Sequence, residues 1–597
     1  MKMRTLTLAL FSAGLLAACG GGGSSDDKKS AVTTGNVTLT GVVASYEAPL
    51  VAAAVTVKCA AGTGSGTTGS DGSYKVDLQN AALPCVLKAS GSTLVMHSVA
   101  PSDGNTTNTE VVVNISPLTE LLVAQLTGAD PESFMETVTS TQLTGLVTTT
   151  QVRTAQTSVL ETLVTAGVTT TGLTDLISGA LSFSGTGTSY AVTLTDLGSS
   201  LSSSGSTLES LSDSVAATAA GTSAAGSATA TAATSTPSLP AELLLKAKAA
   251  TCDALRSTTY RVVTFGPSTT PGSNDTVTEI NSMSFDAATL TATWTSDGGT
   301  DVWTPVSGET CRFTDPDGAD IAISPAGVAV ARTADNSPGT PVYRLAMAFP
   351  EQTHAVADLA GTWNTIGWQS NNSTLMDVNA GTFVLSSAGA ITRARCFDEA
   401  ISAADSTCTE QTTLLPNLTV NTAGGFDLID TDTTEPWRDR SFFYRAGNGD
   451  LMMVSINATG EFMLASKQRT LTLPSVGTVT SHWNFYLNTV NQSVTPVDQT
   501  GNTVASLDSS AGRWTRTAWN GTSAVTYPQT LEINKARNGY VHRLAATAVP
   551  QSDGSTRDVR EFYSLTMRGM GISPVYLPNN STTTSVNQLF LLSVQRP

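Results

Sequence analysis

Leu359-Ala360-Gly361-Thr362-Trp363-Asn364 opens a stretch whose pattern occurs twice in the chain. Arg438-Asp439 and then Phe443-Tyr444 follow it, with the arginine 75 residues after the tryptophan. Trp483-Asn484 opens the second stretch, and Arg557-Asp558 and Phe562-Tyr563 follow with the arginine 74 residues on. Each stretch ends in Ser-x-Gln-Arg, at 466–469 and at 593–596. Order and spacing agree, so these are internal repeats. A fainter copy begins at Thr259-Tyr260 and reaches Val342-Tyr343-Arg344. It spans 83 residues from tyrosine to tyrosine, against 81 and 80 from tryptophan to tyrosine in the later copies. Within the copies, residues 344–349, 381–385, 451–456 and 589–594 read as short strands of period two. A strand train of about 110 residues closes naturally into an antiparallel meander barrel, which leaves no edge strand.

The Gly361-Thr362-Trp363 opening resembles the Gly-x-Trp start of calycin barrels, the lipocalin and avidin group. The third unit has Ser481 in place of the glycine. The resemblance implies a tryptophan that plugs one barrel end and a late arginine that covers it. The pairs it picks out are Trp363 with Arg469 and Trp483 with Arg596, and cation–π stacking supplies the physical reason.

Working towards the N-terminus, residues 215–240 are Ala, Thr, Ser and Gly with late prolines and no charge, the composition of a disordered linker. Residues 117–214 carry helical period. Ser116-Pro117 reads as cap and first position, Gly128 as a stop, and Leu118, Leu121, Leu122 and Leu126 share a face. Threonine is so common there that intrinsic propensity is poor, which makes the segment a packing-dependent helical spacer. Residues 35–116 alternate in short strands around Thr67-Thr68-Gly69-Ser70-Asp71-Gly72-Ser73-Tyr74, where Asp-Gly supplies a tight turn. Gly41-Val42-Val43, Val55-Thr56-Val57 and Thr68 to Tyr74 resemble the carboxypeptidase-regulatory-like, transthyretin-type β-sandwich, which implies a non-catalytic module. The expected fold class is therefore mainly β: sandwich, helical spacer, disordered linker, then β units at 247–355, 356–473 and 474–597, the last two as barrels.

The first residues decide location. Lys2 and Arg4 precede an apolar stretch at 6–16 that is too short to span a bilayer, and Leu16-Ala17-Ala18-Cys19 follows. This resembles the lipobox of bacterial, β-proteobacterial-type lipoproteins. It implies a signal peptide over 1–18, lipidation of Cys19 and a Gly/Ser-rich tether over 19–34. Gly20, rather than Asp, after the cysteine implies the outer membrane, with the chain held on its periplasmic face or at the cell surface by its lipid anchor.

Composition and chemistry narrow the rest. Net charge is −17, and loss of Lys2 and Arg4 takes the mature chain near −19, which argues against nucleic acid as a partner. With Cys19 lipidated, six of the seven cysteines remain. Their domain layout favours the disulfides Cys59–Cys85, Cys252–Cys311 and Cys396–Cys408 in an oxidising envelope. No G-x-S-x-G, H-E-x-x-H or Walker A motif occurs, and the four histidines are scattered. Asp427, Asp430, Asp432 and Glu435 form the densest carboxylate run; Ca2+ is the one ion they suit, and a solvated loop is the plainer account. No other cofactor is expected. Asp315-Pro316-Asp317-Gly318 reads as a turn. All eight tryptophans lie after residue 290, so an aromatic platform for a glycan or protein ligand is one use of them and core packing the other. Together these features point to a tethered, non-catalytic binding, adhesion or structural protein. An envelope hydrolase with paired carboxylates placed by the fold is the alternative.

Overall fold

Three eight-stranded meander barrels follow a sandwich-and-helix unit in the computed structural model. It describes residues 33–91, 94–102, 104, 107–185, 187–224, 236–267, 276–335, 342–371, 375–397, 412, 415–429, 438–457, 461–488, 493–520, 525–535, 537–577 and 589–597. Residues 1–18, Cys19, the Cys396–Cys408 pairing, Asp430, Asp432 and Glu435 therefore fall outside what is described.

In the N-terminal unit, the 18-residue strand Ser73–Ser90 serves two partners. Its first half pairs with Gly35–Val42 and its second with Ala54–Ala61, where Cys59 and Cys85 stand opposite each other and are bonded. The turn before it is built as its sequence demands. Gly72 has φ +75°, and a Cβ there would meet Val43 O at 2.7 Å. The Ser73 amide donates to the Asp71 carboxylate, the Thr68 hydroxyl bridges Leu50 and Ala53, and the Tyr74 hydroxyl donates to Val113 O.

Seven helices lie among the described residues: α1 (Pro117–Thr127), α2 (Pro131–Thr137), α3 (Ser140–Leu146), α4 (Thr149–Ala166), α5 (Ser189–Ser204), α6 (Leu208–Ala224) and α7 (Ala241–Leu244). Ser116 caps α1 in a capping box, and Gly128 ends it in the left-handed region. The helical segment packs on the sheet: Leu118, Leu122, Val159, Leu194 and Leu211 share one core with Leu39, Val76, Leu87 and Val99. Weak threonine-rich helices gain their stability from that common burial. The linker also starts later than its composition suggests, because α6 runs to Ala224 and buries Val215, Ala216 and Ala219.

The first barrel comprises Thr258–Pro267, Thr276–Asp286, Thr291–Trp294, Thr300–Val302 continued by Thr304–Pro305, Arg312–Thr314, Asp320–Ile323, Ala329–Asp335 and Val342–Pro350. The last strand returns to the first, with Met347 opposite Val263. Cys252–Cys311 ties this barrel to the short strand before it. In the second barrel, Phe462–Lys467 returns to Gly361–Asn371, and the Ala390–Asn417 bridge closes the ring. In the third, Leu589–Gln595 pairs with Val479–Asn488. A hairpin, Ala546–Pro550 with Thr556–Val559, is inserted before its sixth strand. The fainter first copy thus has the same topology as the other two.

The barrels pack on one another through their outer faces. Phe265 stacks on Phe462 at 3.6 Å between centroids, Phe462 meets Phe590, and Phe349 meets Tyr444. These rings belong to one buried cluster drawn from all three barrels. Burial of this apolar area is what holds the units together.

Candidate functional site

An eight-stranded barrel is just wide enough for side chains to fill it or for one small ligand to occupy it. What points inward decides which. In the first barrel, the rings of Tyr260, Phe285, Trp303 and Phe313 contact one another across the interior. In the second, Trp363 meets Phe383 and Phe443, and Phe443 meets Phe426. The Trp363 indole N–H donates to Leu359 O at 2.9 Å. Trp363 therefore lies inside the second barrel, its ring packed among Phe383 and Phe443.

The third barrel departs from this. Thr480, His482, Asn484 and Tyr486 alternate along its first strand and line a cavity of about 770 Å3. Trp483 points the other way, into the core between barrels. The expectation that Trp483 plugs its barrel is corrected: Asn364 pairs with Ser466 and Asn484 with Ser593 in the same register, but side chains alternate between faces, and the third barrel turns the opposite face of this strand inward. The positions facing inward carry His482, Asn484, Ser564, Ser573 and Ser593, and small polar side chains leave space where the second barrel has rings.

The arginines divide likewise. The Arg596 guanidinium lies 5.2 Å from the Trp483 ring, on the barrel's outer face. Arg469 does not cover Trp363; it pairs with Asp450, and Lys467 stands 5.9 Å from the Trp363 ring instead. Lys467 lies opposite Trp363 in the strand register, so its ammonium reaches the indole and Arg469, two residues on, passes beyond it.

The cavity has an apolar wall and a charged one. Val504, Trp514, Leu531 and Val541 form the apolar cluster. Arg516 and Arg543 come from the strands Arg513–Asn520 and Tyr540–Arg543, and Arg557 from the inserted hairpin. Arg516 Nε donates to Gln529 Oε1 at 2.9 Å, and Arg543 Nε to Arg560 O at 2.8 Å. Burial, and then the charge of Arg516, pull Arg543 down to about 9. Burial also pulls Arg516 down to about 10, and burial followed by Arg516 pulls His482 down to about 4. At neutral pH both arginines remain charged and His482 is neutral. Asp558 also lines the cavity, but it is exposed and its Oδ1 accepts the Ala548 amide. The hairpin covers one mouth, where Val549 and Val559 pack on Ala518 and Tyr527.

The other expected sites are placed as follows. Asp427 is 4% exposed and engaged by Arg438, Arg440 and Asn421, the requirements of a buried ion pair rather than an open cation site. Among the described residues no group of three metal-ligating side chains suits an ion. Asp315 makes its turn, with Gly318 at φ +86° and the Ala319 amide on its carboxylate. Among the described tryptophan side chains none is fully exposed, and Trp294 and Trp519 are half-buried; Trp368 and Trp437 lie outside the described side chains. The cavity arginines escape the sequence reading because the repeat is marked by its tryptophans, which imply the same inward face in both barrels. The inward parity of His482 and Asn484 was the signal that could have found the hollow barrel.

No protein-family model and no curated protein matches the chain. Solved structures show faint likeness. A protein of unknown function of the DUF3598 family from Nostoc punctiforme is 12% identical, with 41% of this chain and 100% of that one covered at a TM-score of 0.17. A mutant transferrin binding protein B from Haemophilus parasuis is 8% identical, covering 57% and 77% at 0.18. The isotype 1 transferrin binding protein B of serogroup B Neisseria meningitidis is 8% identical, covering 53% and 63% at 0.18. At such TM-scores the likenesses establish neither ancestry nor ligand.

Proposed function

We propose that this chain is a lipid-tethered, non-catalytic binding protein of the bacterial outer membrane, with its third barrel as the ligand-bearing module. The sequence up to Cys19 supports the anchor, and a flexible tether with a rigid sandwich-and-helix base would present the barrels away from the membrane. The observation that carries the binding role is the contrast between barrels of one topology: two are filled by aromatic rings, and the third encloses about 770 Å3 with polar and apolar walls. That size and lining suit a small organic molecule. Among the described residues no helix is long and apolar enough to cross a membrane.

An envelope hydrolase is the second reading. Its support is Asp439, which burial pushes up to about 7 beside Glu461, also raised by burial. Such a carboxyl has the character of a general acid. It sits in the second barrel, away from the cavity, so the binding reading is preferred.

Two measurements test the proposal. Cys19→Ser should move the protein from the membrane to the soluble fraction and remove the acyl mass; unchanged partition and mass would overturn the anchor. The neutral dye N-phenylnaphthylamine should bind the full chain, and Ser593→Trp, which fills the cavity, should abolish that binding. Equal binding by the filled variant would overturn the cavity role.

A further inference from the structure

Several arginines of this protein are matched by acids. Arg312 pairs with Asp320, Arg344 with Glu279, Arg438 with Asp427, Arg469 with Asp450, Arg513 with Glu532 and Arg596 with Glu309. Acids outnumber Lys and Arg by 48 to 31 over the chain, so counter-charges are plentiful. Yet no ion pair among the described residues includes Arg516, Arg543 or Arg557, three of the five arginines that line the third-barrel cavity; of the other two, Arg568 donates to Thr472 O. Leaving several cations together and partly desolvated is costly unless something neutralises them.

Their orientation is also informative. Arg543 lies 4.2 Å from the Phe562 ring, Arg557 4.2 Å from the Tyr527 ring, and Arg516 5.9 Å from the Phe562 ring. A guanidinium that rests its flat face on a ring keeps its N–H groups in plane for acceptors at its edge. Two of the three commit their Nε to protein oxygens, and Arg557 Nε is buried with no partner. The terminal N–H groups thus form a donor array with the apolar wall of Trp514, Leu531 and Val541 in the same cavity.

We infer that the ligand is an amphipathic organic anion, with its oxyanion head held by Arg516, Arg543 and Arg557 and its apolar body against Trp514, Leu531 and Val541. This rests on the third barrel being a ligand cavity. Carboxylate, phosphate and sulfonate heads share the required geometry, because each offers a pair of oxygens to the two parallel N–H groups of the guanidinium fork. Arg557 rides on the hairpin that covers the mouth, so the anion also fastens the hairpin to the barrel wall.

The test titrates two dyes of one body into the full chain: anilinonaphthalene sulfonate and its neutral counterpart N-phenylnaphthylamine. The sulfonate should bind roughly tenfold or more tighter, and Arg516→Met or Arg543→Met should remove that advantage while leaving the neutral dye unchanged. Competition by naphthoate, naphthyl phosphate and naphthol then separates the head groups, with naphthol the weakest. Ligand-free Arg516→Met should melt at a higher temperature than the parent, because an unmatched buried charge is gone; a purely structural arginine would give a lower one. If both dyes bind equally and the methionine variants change nothing, the anion inference fails while the cavity reading survives. If neither dye binds, both fail. If Arg516→Met or Arg543→Met does not fold, the dye and competition series on the parent protein still decides the head-group class.

Discussion

Arg596 and Trp483 join two barrels from the outside: the guanidinium covers the indole at 5.2 Å and its Nη2 donates to Glu309 of the first barrel at 3.0 Å. Arg312 of the first barrel approaches the same indole at 5.8 Å. Trp483 is thus held between guanidiniums of two barrels. Arg596→Ala should destabilise the protein by about 1–3 kcal/mol, through loss of both the ring contact and the charged hydrogen bond. Urea unfolding followed by tryptophan fluorescence measures it, and an unchanged midpoint would count against the clamp.

Asp439 predicts a pH dependence. Burial raises its folded value to about 7, well above the ordinary carboxyl range. The folded state then binds more protons than the unfolded state between about pH 4 and 7, so stability falls as pH rises through that window. Asp439→Asn should flatten this part of the profile and stabilise the protein at pH 8, by on the order of a few kcal/mol at most. Thermal melts across pH 4 to 8 test the sign; a parent that gains stability with rising pH through this residue would refute the assignment.

His97 is 1% exposed, with Nδ1 2.9 Å from Glu120 and Nε2 2.9 Å from Glu132. These two contacts tie the strand Val95–Ala100 to α1 and α2. His97→Ala leaves buried Glu120 without that partner and should cost about 3–5 kcal/mol. Far-UV circular dichroism in urea should show the loss in the helical signal.

Cys59 and Cys85 close a loop of 26 residues. Replacing both with serine should cost about 3.5 kcal/mol by the loop-entropy estimate. Non-reducing peptide mapping of the parent should show Cys59–Cys85 and Cys252–Cys311, and a bridge between units would overturn the pairing.

Much of this architecture was legible in the chain. Alternation of period two and the spacing of Trp363, Phe443-Tyr444 and Ser466 against their later counterparts marked tandem barrels. Asp71-Gly72 marked the sandwich turn, and Ser116-Pro117 to Gly128 marked α1. These signals are local, carried by turn chemistry, capping and side-chain alternation within a few residues. The merger of helices and sandwich was less legible, because burial of Leu118 or Val159 against Val99 depends on partners far along the chain.

What the sequence by itself determined was the strand trains, their repetition, the cysteine pairs at 59/85 and 252/311, and the lipobox expectation at Cys19. Only the tertiary structure decided which face each strand turned inward. Identical Trp-Asn pairs at 363 and 483 sit on opposite sides of their barrel walls although each asparagine pairs with the serine of its own Ser-x-Gln-Arg strand, because side chains alternate and the two barrels curl towards opposite faces of this strand pair. That choice left the third barrel hollow. It also brought Arg516, Arg543 and Arg557 from separate strands to one cavity, a convergence no local pattern encodes.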